Sequence, residues 1–122
     1  MKKTQFEPPV DLERLMEFSA GDQEQLNELV TIYTKQTQEQ LDQMQIALTS
    51  GDAKKVSRVA HSSAGASGTC GMTRIVPMLR EIEALANDGD LTNVARILPQ
   101  VTQEFERIKE FFEARPPDAA AA

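Results

Sequence analysis

Three Gly-Asp pairs, Gly21-Asp22, Gly51-Asp52 and Gly89-Asp90, divide the chain. Each joins a residue suited to ending one helix to a residue suited to starting the next. Glycine enters the left-handed conformation at a helix C-terminus without a Cβ penalty, and an aspartate side chain accepts a free amide of the following first turn. Asp22 and Gln25 also have the spacing of a capping box. Between these stops apolar residues return with a 3.6-residue period, and nowhere does a period of two persist long enough for a strand. Connections of a few residues make neighbouring helices antiparallel.

The spacing predicts a short first helix over 11–19, with Leu12, Leu15 and Met16 on one side. A long second helix over 22–50 carries one stripe made of Leu26, Leu29, Val30, Tyr33, Thr37, Met44, Ala47 and Leu48. The third starts near Asp52. A fourth over 73–87 turns Ile75, Val76, Leu79, Ile82, Leu85 and Ala86 inward, with Pro77 in its first turn, where few amide bonds are lost. The last, over 91–114, buries Val94, Leu98, Val101, Phe105, Ile108 and Phe112, and Pro99 should kink it. The expected fold class is all-α: an up-down antiparallel four-helix bundle with a short additional N-terminal helix over one end. Residues 1–10 read as a tether, 11–115 as the bundle and 116–122 as a tail.

Composition narrows what such a bundle can do. A formal charge of −6 disfavours phosphate backbones, so no nucleic-acid partner is expected. Aromatics are only 5% and Trp is absent, which leaves the core to Leu, Ile, Val, Met and Ala. The single cysteine, Cys70, cannot form an internal disulfide, and with one histidine it is too little for a zinc site. No apolar run approaches the roughly 20 residues that span a bilayer, and the N-terminus lacks the apolar core of a signal peptide. A soluble, cytoplasmic, monomeric protein with no membrane partner is the expectation.

The third helix holds the chemistry. On a wheel of about 100° per residue, Val56, Val59, Ala60, Ser63, Ser67 and Cys70 fall within roughly 60° of one direction and form the buried face. His61, the one histidine, lies about 140° from Val56 and points to solvent. Lys54, Ser57, Arg58, Ala64, Gly65 and Gly68 group with it on the outer face. Each glycine costs a helix about 0.8–1 kcal/mol relative to Ala. Two of them beside an exposed imidazole clear space for another surface to approach. A neutral imidazole nitrogen is nucleophilic near neutral pH and can accept a phosphoryl group directly. Lys54 and Arg58, about two turns and one turn before the ring, could offset the arriving charge. Read singly, the same residues describe only a surface histidine and a helix nearing its end.

The stretch Val59-Ala60-His61-Ser62-Ser63-Ala64-Gly65-Ala66-Ser67-Gly68-Thr69-Cys70-Gly71 resembles the signature of histidine-containing phosphotransfer (HPt) domains, in which Ala-His-x-Leu-Lys-Gly precedes small residues ending in Gly. Ala60, His61, Gly65, Ser67 and Gly71 match. The opening Asp11-Leu12-Glu13-Arg14-Leu15, the Ala20-Gly21-Asp22 turn, Ala47 to Asp52, Arg80-Glu81-Ile82-Glu83 and Gly89-Asp90 also fall where that family has them. The resemblance implies a phosphocarrier without kinase activity of its own, in which His61 exchanges a phosphoryl group with aspartates of response-regulator receiver domains. A hybrid sensor histidine kinase is a further implied partner. It implies no cofactor on this chain, with Mg²⁺ on the receiver, and a receiver docked over the His61 helix and part of the second. Two positions depart: the family's Leu is Ser63, and its Lys, which helps hold the phosphoryl group, is Ala64. Lys54, Lys55 or Arg58 are the candidates to replace that Lys. The alternative is a docking module that binds a receiver without transferring phosphate. An enzyme would need inward-facing charged clusters, which the pattern does not place.

Other residues read as structural. Cys70 belongs to the core. Met16, Met44, Met72 and Met78 lie at helical spacing and fill it. Phe105, Phe111 and Phe112 close one end of the bundle, and the Glu-rich stretch from Glu104 to Glu113 is a solvated face. No Gly-rich loop follows a strand, so no nucleotide-binding phosphate loop is expected.

Overall fold

The structure, a computed structural model, describes residues 9–114. The N-terminal tether up to Pro8 and the tail from Arg115 onward lie outside the described residues. Among the described residues five helices follow in order: α1 (Leu12–Phe18), α2 (Gln23–Ser50), α3 (Ala53–Thr69), α4 (Ile75–Asn87) and α5 (Leu91–Glu113). There is no strand among the described residues. The Gly-Asp pairs act as their chemistry requires. Asp22 accepts from the amides of Glu24 and Gln25, Asp52 from Lys55, and Asp90 from Asn93. Gly51 takes the left-handed conformation that closes α2.

The four long helices pack in a ring, α2 on α3, α3 on α4, α4 on α5 and α5 back on α2, with the α3–α4 contact the most extensive. Inside the ring lie Met44, Val56, Ala60, Ile75, Leu79, Ile82, Val94, Val101, Phe105 and Ile108, none measurably exposed. Each large apolar side chain so buried contributes about 1.5–3 kcal/mol. The seam between α2 and α3 is polar where α3 is small. There Tyr33 Oη and Ser67 Oγ share a hydrogen bond of 2.7 Å inside the bundle. Burial pushes the Tyr33 phenol up, against the hydrogen bonds to Ser67 and Thr37, and keeps it protonated.

The short α1 covers one end. Val10 and Leu15 are buried, and the amide of Asp11 donates to the carbonyl of Gly71 at 2.6 Å, tying α1 to the turn between α3 and α4. Gly71 has φ +80°, and a Cβ there would lie 2.7 Å from the Asp11 carbonyl oxygen.

Several expectations need correction. Met16 is exposed rather than core, because α1 has only one buried position, Leu15. Glu104 is not on a solvated face: it is 3% exposed and held by Arg74 Nε and Arg107 Nη1, each at 3.3 Å. A buried carboxylate persists only when so paired. The fourth helix starts at Ile75 instead of 73, with Arg74 as a cap that makes no side-chain hydrogen bond, and Pro77 sits in the first turn. Pro99 lies inside α5, where the sequence places it. Cys70 is buried, and that burial raises its thiol pKa, as suits a core residue.

Candidate functional site

Helix α3 is amphipathic in an unusual way: its inner face is built from Val, Ala and Ser. Val56, Val59, Ala60, Ser63, Ser67 and Cys70 are all buried, as the wheel requires. His61 stands on the outer arc with its side chain 67% exposed.

The ring is not alone there. Helix α4 runs antiparallel along the flank of α3, and three contacts fix the register. Ser57 Oγ donates to Asn87 Oδ1 at 2.6 Å, His61 meets Glu83, and a Cβ on Gly68 would touch Val76. Each step down α3 is matched by an equal step up α4. At the His61 level, Nδ1 lies 2.8 Å from Glu83 Oε2. Arg80, one turn earlier on α4, places Nη1 3.1 Å from Glu83 Oε1 and 3.3 Å from His61 Nδ1.

These contacts decide the state of the imidazole. Nδ1 cannot donate to Glu83 and accept from Arg80 at once, since a neutral ring nitrogen carries either a proton or a lone pair. The shorter contact is to the carboxylate, which accepts only, so Nδ1 carries the proton and Arg80 is anchored by Glu83. The lone pair is then on Nε2, the nitrogen these contacts leave for an incoming electrophile. Partial burial of Glu83 works against its ionisation, yet the hydrogen bonds from His61 and Arg80, with their charges, outweigh it and hold the carboxyl below its ordinary value.

The outer face is narrower than the wheel suggests. Ala64 is 1% exposed and Ser57 is buried with its hydroxyl committed to Asn87, because α4 covers this flank. Neither is open to a partner, so both leave the candidate contact surface. Lys54, Arg58 and Gly65 are exposed and Gly68 is half-buried. Around Gly65 a Cβ would meet nothing within 4 Å, so no internal contact asks for glycine there. Sequence reasoning missed Glu83 and Arg80 as site residues. Their signals were the i, i+3 spacing of an Arg and a Glu and the place of Arg80-Glu81-Ile82-Glu83 in the family resemblance, neither of which says which neighbour the two side chains face. Among the described residues, no group of three or more His, Cys, Asp or Glu could hold a metal ion. Among the described residues no helix is long and apolar enough to cross a membrane.

Comparison with known proteins bears on the family and the fold. The Hpt domain family model matches residues 28–111. Among solved structures, histidine-containing phosphotransfer protein B (HptB) from Pseudomonas aeruginosa PAO1 superposes with a TM-score of 0.82 at 24% identity, covering 88% of this chain and 93% of that one. At that identity the likeness speaks for the fold. No curated protein matches the chain significantly. With the family model spanning well over half of its length, the chain belongs to the Hpt domain family.

Proposed function

We propose that the protein is a phosphocarrier of a multistep phosphorelay, with Nε2 of His61 as the atom that receives and releases the phosphoryl group. One observation carries the reading: the imidazole is 67% exposed while its Nδ1 is held by Glu83 at 2.8 Å. A buried or freely turning ring would satisfy one of these conditions and not both. Catalysis here is mostly positioning and charge stabilisation, as in phosphoryl transfer generally. The chain would supply the nucleophile, while Mg²⁺ would sit on the receiver domain and no nucleotide would be needed.

The receiver would dock on the outer arc of α3, over His61, Gly65 and Gly68, with Lys54 and Arg58 at its edge. The adjoining part of α2 extends that surface. The Tyr33–Ser67 bond sets this part of α2 against the glycine stretch, and beside it Phe18 and Ile32 are more than half exposed. Large apolar side chains left open are suited to a partner that covers them. We take the carrier to act as a monomer.

The test is to incubate the protein with a panel of phosphorylated receiver domains and follow acid-labile phosphate. Label on the wild type that is lost in His61→Gln is the expected result. Receiver binding without label would replace the carrier by a docking module.

A further inference from the structure

A phosphoryl group arriving on His61 brings a charge of about −1.5 to −2, and a transfer site needs a cation that meets it. Helix α3 does not place one against the ring. Position 64 is a buried alanine, and Lys54 and Arg58 make no contact with the imidazole among those described. The register of α3 against α4 points elsewhere. Ser57 faces Asn87, His61 faces Glu83 and Gly68 faces Val76, so the position opposite Ala64 is Arg80. The small side chain at 64 leaves room beside the ring, and the guanidinium comes from the neighbouring helix.

Arg80 is placed to act and has donors to spare. Its Nη1 lies 3.3 Å from His61 Nδ1 and 3.1 Å from Glu83 Oε1, and its side chain is 47% exposed. Those contacts use Nη1 alone, and a guanidinium offers five N–H donors in a planar fork that matches phosphate oxygens two at a time.

We propose that Arg80 is the phosphoryl-binding cation of this site, supplied by α4 opposite the neutral Ala64; the proposal rests on His61 being the phosphoacceptor. In the transfer, the Nε2 lone pair forms the N–P bond as the donor's P–O bond breaks. The bonding electrons leave with the donor's aspartate carboxylate. The Nδ1 proton stays between the ring and Glu83, whose negative charge offsets the positive charge the ring acquires. Arg80 turns its exposed end to the phosphoryl oxygens while Glu83 keeps hold of Nη1. The guanidinium thus bridges the carboxylate and the phosphoryl group.

Phosphoramidate, a small-molecule donor whose N–P bond breaks with release of ammonia, tests this without a cognate receiver. Wild type, Arg80→Gln, Arg80→Lys and Arg96→Gln are treated with it, and phosphohistidine is followed by mass and by ³¹P NMR over a pH series. Arg96, exposed on α5 with Nη1 bonded to Asn93, controls for loss of one positive charge that does not touch the ring. The expectation for Arg80→Gln is phosphorylation on the order of tenfold slower, with the phosphoryl titration midpoint moved to higher pH, because a nearby cation favours the dianion. Arg80→Lys should recover part of both, and Arg96→Gln should match wild type. A displaced ring alone would slow the reaction without moving the phosphoryl midpoint. If Arg80→Gln has the wild-type midpoint, or Arg96→Gln shifts rate and midpoint equally, the proposal is overturned. A wild type that acquires no label dependent on His61 overturns the carrier reading itself, and this proposal with it.

Discussion

Oε2 of Glu83 lies 2.8 Å from Nδ1 of His61, across the α3–α4 interface and 22 positions along the chain. The contact gives α4 a part in the chemistry of a residue borne by α3. It fixes the ring's orientation and keeps the proton on Nδ1, so the lone pair stays on Nε2.

Replacing Glu83 by Ala should therefore slow phosphorylation of His61 while leaving the imidazole in place. Without the acceptor, the ring divides its time between two tautomers and several rotamers, and the positive charge of the phosphorylated ring loses its counter-ion. A fall on the order of tenfold, about 1.4 kcal/mol of barrier, is expected in single-turnover transfer from a phosphorylated receiver. Glu83→Gln should fall between Ala and wild type, because its amide oxygen still accepts but carries no charge. Nitrogen-15 NMR of the imidazole provides the second readout, with Nδ1–H dominant in the wild type and no longer so in Glu83→Ala.

The same carboxyl links stability to pH. Its pKa in the folded protein is below the ordinary 4.5, so in the window between the two values the unfolded chain binds more protons than the folded one. The stabilisation is complete above the unfolded value and is lost as the pH falls through the folded one. Thermal melts taken from about pH 6 down to about pH 3 should drop more steeply for wild type than for Glu83→Gln. Parallel curves would mean that the ion pair contributes nothing to the fold.

Gly65 separates stability from function. A methyl group there meets nothing within 4 Å, and alanine is the better helix former. Gly65→Ala should stabilise the fold by up to about 1 kcal/mol, seen as a melting temperature raised by roughly 4 °C. Receiver binding should weaken on the order of tenfold, since the methyl stands four residues from His61 on the open arc. A variant that is both more stable and equally active would show that no surface approaches this closely.

Gly71 should behave in the opposite way. Its φ of +80° and the Asp11 carbonyl oxygen at 2.7 Å leave no place for a Cβ. Gly71→Ala is expected to cost about 1–3 kcal/mol in urea unfolding. The damage should concentrate on α1, whose amides would exchange with solvent before those of the bundle.

The sequence by itself determined the helices, their order and most of their faces. Asp22, Asp52 and Asp90 cap helices by local chemistry, and the stripe through Leu26, Tyr33 and Met44 follows from a period that only a helix satisfies. His61 could be placed on the outside of α3 for the same reason, because one helix turn decides which residues share a face. The tertiary structure alone decided what lies beside that face. Which flank of α3 is covered depends on where α4 packs, and this removed Ser57 and Ala64 from the open surface while bringing Glu83 and Arg80 to the ring. Glu104 shows the same limit, looking solvated in a run of charges yet buried between Arg74 and Arg107. A helical period gives the direction of each side chain relative to its own axis. It carries no information on the azimuth and register of the neighbouring helix, which the packing of the whole core sets.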